Sequence, residues 1–332
     1  MAGIIVSEGS GEVNALYGNV QTPIASFLIK RAEALEQESI ASKIFKKRAS
    51  THWAEGYRSL VAMDDFEPTP ENGAYPTNDF GEGFDQSILN YTWKSQFAIS
   101  QELIEDGNII NLTKRPENFM TAYYRTQERF FAKMLGSALQ GATEMKVKAQ
   151  AFNAKSADGK AFFSNAHKGK KSGTKLCNAY KNEFSEEVLG EMATRMQNME
   201  GDNGETLALT PDTIIIPNIA SLKKSVFGVI GSEREPGTAN NTYNYQAGSW
   251  TVYVWPYLNQ FIGSMAAPFI LMDSSYCDTA DVAVWQERVP LTVRSTLDDN
   301  DANVWKGRAR FGGGFVDFRG MMAGGLSTGD EL

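Results

Sequence analysis

Two histidines and two cysteines, His52, His167, Cys177 and Cys277, are all that the chain offers for imidazole or thiolate chemistry. Neither histidine has a cysteine or a second histidine at metal-ligand spacing, and the cysteines form no CxxC pair. No H-E-x-x-H, G-x-S-x-G or G-x-G-x-x-G motif occurs. The stretch from His167 to Lys175 contains Gly169, Lys171 and Ser172 but lacks the G-x-x-x-x-G-K-[ST] spacing of a phosphate loop, and no strand runs directly into it. It reads as a solvated surface loop. Two acidic clusters, Asp64-Asp65 with Glu67 and Asp298-Asp299 with Asp301, lack the central glycine and terminal glutamate of a calcium loop. Both fall in turn segments, where aspartate is favoured for its local hydrogen bonds. Carboxylate pairs brought together from distant positions remain open. No metal, no cofactor and no enzymatic activity is expected.

The bulk numbers agree with a packed protein. Hydrophobic residues make up 42% and charged residues 22% of 332 residues. A chain of this length buries roughly three-quarters of its unfolded surface, so it needs no disulfide or metal to hold together. The length suggests two domains or one discontinuous one. A net charge of -8 argues against a whole-protein grip on nucleic acid, while leaving room for a local basic patch. The first residues lack a basic n-region and a long apolar h-region, and the longest apolar runs are too short to span a bilayer. The expectation is a cytoplasmic product with two reduced thiols.

Several elements are legible. Apolar residues from Thr22 to Phe45 fall at helix-like spacing with a phase break, and a basic cluster of Lys43, Lys46, Lys47 and Arg48 follows, either a solvated helix end or an arm that docks on a neighbour or faces nucleic acid. Trp53–Met63 and Ser87–Ser100 read as strands, the second with a slip between Trp93 and Phe97. Between them Pro68, Pro70, Asn72-Gly73, Pro76, Gly81 and Gly83 mark a long polar tip. A connection of that length suits an extended hairpin better than a loop inside a compact domain.

Pro116 to Gln140 carries two adjacent apolar stripes and predicts a buried helix with Pro116 in its first turn. Phe184–Met199 predicts a helix capped by Ser185. A compact α/β unit is expected over 205–275, built from the strand Pro211–Asn218, a helix over 219–230, and strands at Trp250–Leu258 and Phe269–Asp273. Strands at Ala283–Trp285, Val289–Ser295 and Val304–Phe311 lead to a glycine-rich end.

Blocks with no catalytic logic carry a resemblance. They are His52–Val61 followed by Met63–Pro68, Glu71–Pro76, Pro211–Asn218, Asn240–Gln246 with Trp255-Pro256-Tyr257, and Asn300–Phe311. Together they resemble the major capsid proteins of tailed bacteriophages, in particular the Mu-like major head subunits, over most of 20–325.

The resemblance implies an α+β fold, that of tailed-phage and herpesvirus major capsid proteins. It implies an N-terminal arm over 1–50, an extended two-stranded loop over 51–98, a peripheral domain over 99–204 with a spine helix at 116–140, an axial domain over 205–281 and a C-terminal return to the peripheral domain over 282–332. The implied function is a self-assembling icosahedral head shell of pentamers and hexamers around double-stranded DNA. A separate scaffold, a maturation protease and a portal are the implied partners, with DNA on the inner face and no membrane. The long N-terminal scaffolding segment of some relatives is not found, and no lysine–asparagine cross-linking triplet can be matched. Expected inter-subunit contacts are Tyr57, Asp64, Asp65, Glu67, Tyr75, Tyr91 and Trp93. A nanocompartment shell of the same fold, enclosing protein cargo, is the alternative, and a soluble enzyme with scattered catalytic residues a third reading.

Overall fold

The computed structural model describes residues 5–7, 28–60, 66, 68–75, 82–100, 102, 109–231, 243–298 and 302–332. A short strand β1 (Ile5–Ser7) comes first, then helix α1 over 28–38, helix α2 (Ala41–Ile44) and strand β2 (Lys46–Ala49). Leu28, Ala32, Ala41, Ile44 and Phe45 are buried. The phase break expected in this region is the turn between the two helices, where Glu128 accepts hydrogen bonds from Ser39 Oγ at 2.6 Å and Ala41 N at 3.1 Å. Residues 22–27 lie outside the described part. The basic cluster is not a helix end: Lys46, Lys47 and Arg48 belong to β2. Lys47 pairs with Glu36 and lies 4.8 Å from the Trp285 ring centre.

Strands β3 (Ala54–Leu60) and β4 (Glu82–Leu89) form a two-stranded sheet, and β5 (Tyr91–Ile99) follows after Asn90. The single strand expected over Ser87–Ser100 is therefore two. Asn90 causes the break: its N–H donates to Trp53 O at 3.0 Å, and its Nδ2 donates to Ser50 Oγ at 2.7 Å and His52 O at 3.0 Å. The expected slip within β5 is absent. Trp93, Ser95 and Phe97 stay in phase, and Ser95 sits opposite Gly307, where the Phe119 ring takes up the space.

Helix α3 (Ile109–Leu139) starts earlier than expected, so Pro116 lies inside it and not in its first turn. Proline removes one backbone bond there. The guanidinium of the preceding Arg115 donates to the Ala98 carbonyl, tying this turn to β5. Two hairpins follow, β6 (Glu144–Val147) with β7 (Gln150–Asn153) and β8 (His167–Lys168) with β9 (Lys175–Leu176). Helix α4 (Glu186–Gln197) has the expected cap, Ser185 Oγ accepting from Val188 N at 3.1 Å. Then come β10 (Thr213–Pro217), α5 (Ala220–Ile230), β11 (Thr251–Trp255), β12 (Phe269–Met272), α6 (Ser274–Thr279), β13 (Ala283–Leu297), β14 (Asn303–Phe315) and β15 (Met321–Gly324). The two strands expected over 283–295 are one continuous β13, and the Gly312–Gly314 run of the glycine-rich end lies within β14.

The chain divides into two compact units. The first comprises Met1–Glu55, Leu89–Phe131 and Trp285–Gly313. Its sheet has the order β1-β13-β14-β5, with β2 also on β13. Residues of one parity on β5, β13 and β14 turn toward α3 and build an aromatic core. Trp93 stacks on Phe311 at 4.8 Å and meets Phe130 edge-on at 5.5 Å, while Phe131 packs on Trp285 at 4.5 Å and on Phe45 at 4.7 Å.

The second unit comprises Gly56–Ile88, Ala132–Val284 and Gly314–Leu332. Its sheet has the order β11-β10-β12-β15, with β10 parallel to β11 and antiparallel to β12. Every residue of β10, β12 and β15 is buried, which matches their uninterrupted apolar runs. Leu189, Met192 and Met196 form the buried face of α4. The strand β15 pairs with β12, so the segment 282–332 does not return to one place: β13 and most of β14 build the first sheet and β15 completes the second.

Candidate assembly surfaces

Residues 61–81 join β3 to β4, and this stretch with its flanks is acidic throughout. From Asp64 to Asp85 every charged residue is a carboxylate, and no lysine or arginine occurs between Arg58 and Lys94. Within it, Pro68 to Tyr75 is exposed and turns at Pro70–Gly73, where Gly73 N donates to Pro70 O at 2.8 Å and Asn72 takes a φ of 65°. Phe66 is 97% exposed and Tyr75 is 96% exposed. Two large rings held almost wholly in water on a polar excursion are the pattern of a surface awaiting a partner.

The expected contact residues separate accordingly. Tyr75 stands free on the excursion, whereas Asp64, Asp65 and Glu67 lie outside the described residues. Tyr57 packs against Ile88, Val284 and Val316 in the second unit. Tyr91 and Trp93 are half-buried on β5, and Trp93 Nε1 donates to Phe311 O at 3.3 Å. The apolar surface of Tyr57 and Trp93 is therefore used inside their own units. Sequence reasoning passed over Phe66 and Trp53, the latter 64% exposed. Both stand beside polar turn residues, which was the available signal.

It also passed over the outer face of the first sheet. Lys306, Arg308 and Arg310 alternate along β14, and each points away from the face that carries Trp305, Gly307, Ala309 and Phe311. With Lys94 of β5 and Arg294 of β13, Lys306 and Arg308 line a concavity of about 630 Å³ that contains no carboxylate. The period-two spacing of the β14 cations was the missed signal.

In the second unit a cavity of about 460 Å³ is lined by Arg58, Glu205, Tyr276, Asp317 and Arg319 among others. Its charges are already satisfied. Arg319 bridges Asp202 at 2.7 Å and Asp317 at 3.0 Å, and Tyr276 Oη donates to Asp317 at 2.7 Å. Burial lowers the guanidinium pKa of Arg319, and the two aspartates more than offset it, leaving a firmly charged Arg319. Burial raises the Tyr276 hydroxyl and the Cys277 thiol, so neither is a ready nucleophile.

His167 is buried, contrary to its expected place on a solvated loop; the lysines after it are the exposed part. Its ring stacks on Phe318 at 3.8 Å, Nδ1 lies 2.6 Å from Asp158 Oδ2, and Nε2 lies 3.2 Å from Phe162 O. Burial works to raise the Asp158 pKa, but hydrogen bonding and charge from His167 overcome it and leave the carboxyl lowered. Among the described residues no group of three or more His, Cys, Asp and Glu could hold a metal. No described helix is long and apolar enough to cross a membrane.

A long helix α3, a sheet in each of the two units and the separate two-stranded pair β3–β4 are the parts of the tailed-phage capsid fold. The capsid of Ralstonia phage GP4 superposes with a TM-score of 0.51 over 85% of this chain and 86% of that one, at 10% identity. A chain of Mycobacterium phage Patience matches over 98% of this chain and 92% of that one, with TM-score 0.49 and 10% identity. The procapsid of bacteriophage JBD30 matches over 97% and 77%, with TM-score 0.48 and 13% identity. No curated protein matches in sequence. Residues 90–323 match the family described as Phage capsid protein, and the chain belongs to that family.

Proposed function

We propose that this chain self-associates into the closed icosahedral shell of a phage head, as pentamers and hexamers, and that its activity is assembly and not catalysis. The observation that carries the reading is the pair of almost fully exposed rings, Phe66 and Tyr75, on the segment that joins β3 to β4. A heterologous contact between copies that closes by rotation gives such rings a place to bury. Individual contacts can be modest, because a subunit held by several neighbours gains avidity. In this reading the excursion lies over an adjacent subunit, Phe66 and Tyr75 anchor it, and its carboxylates, Asp64, Asp65 and Glu67 among them, set the register.

The first unit is then the peripheral domain and the β10–β12 region the axial one. The five resembling blocks support a Mu-like head subunit in particular. A separate scaffold, a maturation protease and a portal act with it. Shell assembly occurs in the host bacterial cytoplasm, and the virion holds the product with double-stranded DNA inside. The match to a phage capsid family supports this reading over a nanocompartment with protein cargo. Deleting 67–80 tests it: the variant is expected to keep its circular dichroism and melting behaviour yet form no closed shells in negative-stain images. Normal shells from the deletion variant would overturn the role given to the excursion.

A further inference from the structure

The strand β4 is held to the second unit along one side. Phe84, Gln86 and Ile88 turn toward the body of the unit, while Asp85 and Ser87 face water. Ile88 packs with Val284 and Val316, and Gln86 Nε2 donates to Lys155 O at 3.3 Å. Nearest the excursion, Lys170 Nζ donates to the Gly83 carbonyl and lies 5.5 Å from the Phe84 ring centre. Lys170 sits in the turn between β8 and β9, the lysine-rich stretch whose spacing fits no phosphate loop. That turn is fixed from behind. Lys170 N donates to Asp202 Oδ1 at 3.0 Å, and Lys171 N and Ser172 N donate to Asp202 O at 3.1 Å and 3.0 Å. Asp202 is bridged in turn to the buried Arg319 at 2.7 Å, and His167 at the base of the turn is buried against Phe318.

We propose that Lys170 is a positioning residue for assembly, a strut from a rigid turn that sets the direction in which the β3–β4 pair leaves the second unit. The contacts fall at every second residue of β4, about 7 Å apart, and that of Lys170 is the outermost. A pair pinned only at Ile88 and Gln86 can pivot there, and a small rotation at the root becomes a large displacement farther out. The third contact removes that freedom. An ammonium suits the place, because one of its donors serves the carbonyl while its charge lies over the ring. The base of the strut resists displacement, since parting Asp202 from Arg319 would leave buried charges unpaired. Copies that hold the pair at one angle meet their neighbours in one geometry, which a closed shell of uniform diameter requires. This inference rests on the reading of the segment between β3 and β4 as the part through which copies meet, and it assigns the residue that aims it.

Three variants of the full chain test it. Lys170→Met keeps the apolar stem and removes the charge, Lys170→Arg keeps a cation with donors, and Lys171→Met removes the same charge one residue on. In the unassembled subunit, amide exchange over 83–86 should rise about tenfold in Lys170→Met, the effect of losing one charge-assisted hydrogen bond, while exchange over 213–217 and the melting temperature hold. Lys170→Arg and Lys171→Met should exchange as the parent does. Under the conditions in which the parent forms shells of one diameter, Lys170→Met should give mixed diameters or open sheets in negative-stain images. Parent-like exchange in Lys170→Met would overturn the proposal, and so would equal loosening in Lys171→Met, which would make the effect one of charge alone. Loss of protection throughout the second unit would mark a residue that holds the fold, and parental shells from a loosened pair would mark one that does not aim it; either result overturns the positioning role. The reading of the excursion fails separately, if the 67–80 deletion still assembles, and the exchange result stands without it.

Discussion

Gly312 lies so close to the main chain of Leu89 that a Cβ built on it would stand 2.1 Å from the Leu89 carbonyl oxygen. The contact joins β14 to the point where β4 gives way to β5, beside the Asn90 hydrogen bonds that turn the chain. Gly312→Ala must push two backbones apart, and overpacking of this kind costs about 1–3 kcal/mol. A urea titration of the unassembled subunit checks it; an unchanged midpoint would show that β14 can shift freely.

Trp93 and Tyr75 should behave in opposite ways. Trp93 is stacked inside its own unit, so Trp93→Ala should destabilise the subunit by about 3 kcal/mol. Tyr75→Ser removes a ring that is 96% exposed and should leave subunit stability within about 0.5 kcal/mol. Its effect should fall on assembly, as a raised subunit concentration at the onset of light scattering. Equal loss of subunit stability in both variants would contradict the separation.

The Asp158–His167 pair makes stability depend on acid. Asp158 has a lowered pKa in the folded chain, so the stabilisation it gives is complete above the ordinary aspartate value near 4 and is lost as pH falls through the lower folded value. Asp158→Asn should flatten the subunit's melting temperature between about pH 4 and the folded value. His167→Ala leaves a buried carboxylate without its partner and should cost about 3–5 kcal/mol. A variant with the parent's acid profile would contradict this account.

Glu55 provides an independent acid-sensitive point. Its carboxylate accepts from His52 N at 3.0 Å, Ser50 Oγ at 2.8 Å and Thr51 N at 2.9 Å. These bonds, the His52 amide first, hold its pKa down to about 2. The sign is that of any depressed acid: the contribution is present above about 4.5 and is lost as pH falls toward about 2. Glu55→Gln should speed amide exchange at Thr51 and His52 at neutral pH, and unchanged exchange would show that the carboxylate is not what holds this turn.

Much of the fold was legible because burial and periodicity coincide. The apolar runs at Thr213–Pro217 and Phe269–Met272 are buried throughout, and Ser185 precedes a helix as its side chain requires. Elements were misread where long-range contacts override local signals. Pro116 marks a helix start in isolation, yet α3 passes through it. Asn90 is unremarkable in a strand pattern until its three partners at 50–53 are in place. The glycines at 312–314 read only as part of a glycine-rich end, because the close approach met at Gly312 and Gly314 comes from residues 88 and 89. At the candidate site the acidic excursion and Tyr75 were visible as composition. Of the basic face only the alternation of Lys306, Arg308 and Arg310 was visible; Lys94 and Arg294 join them only when three strands come into register.

The central claim is that copies of the chain cover one another's exposed surface. Light scattering across a concentration series of the purified full chain, with negative-stain imaging of the same samples, tests it most directly. The account expects closed shells of uniform diameter above a threshold concentration, or on addition of scaffold. A sample that stays as single subunits at every concentration, with scaffold as without, would contradict it.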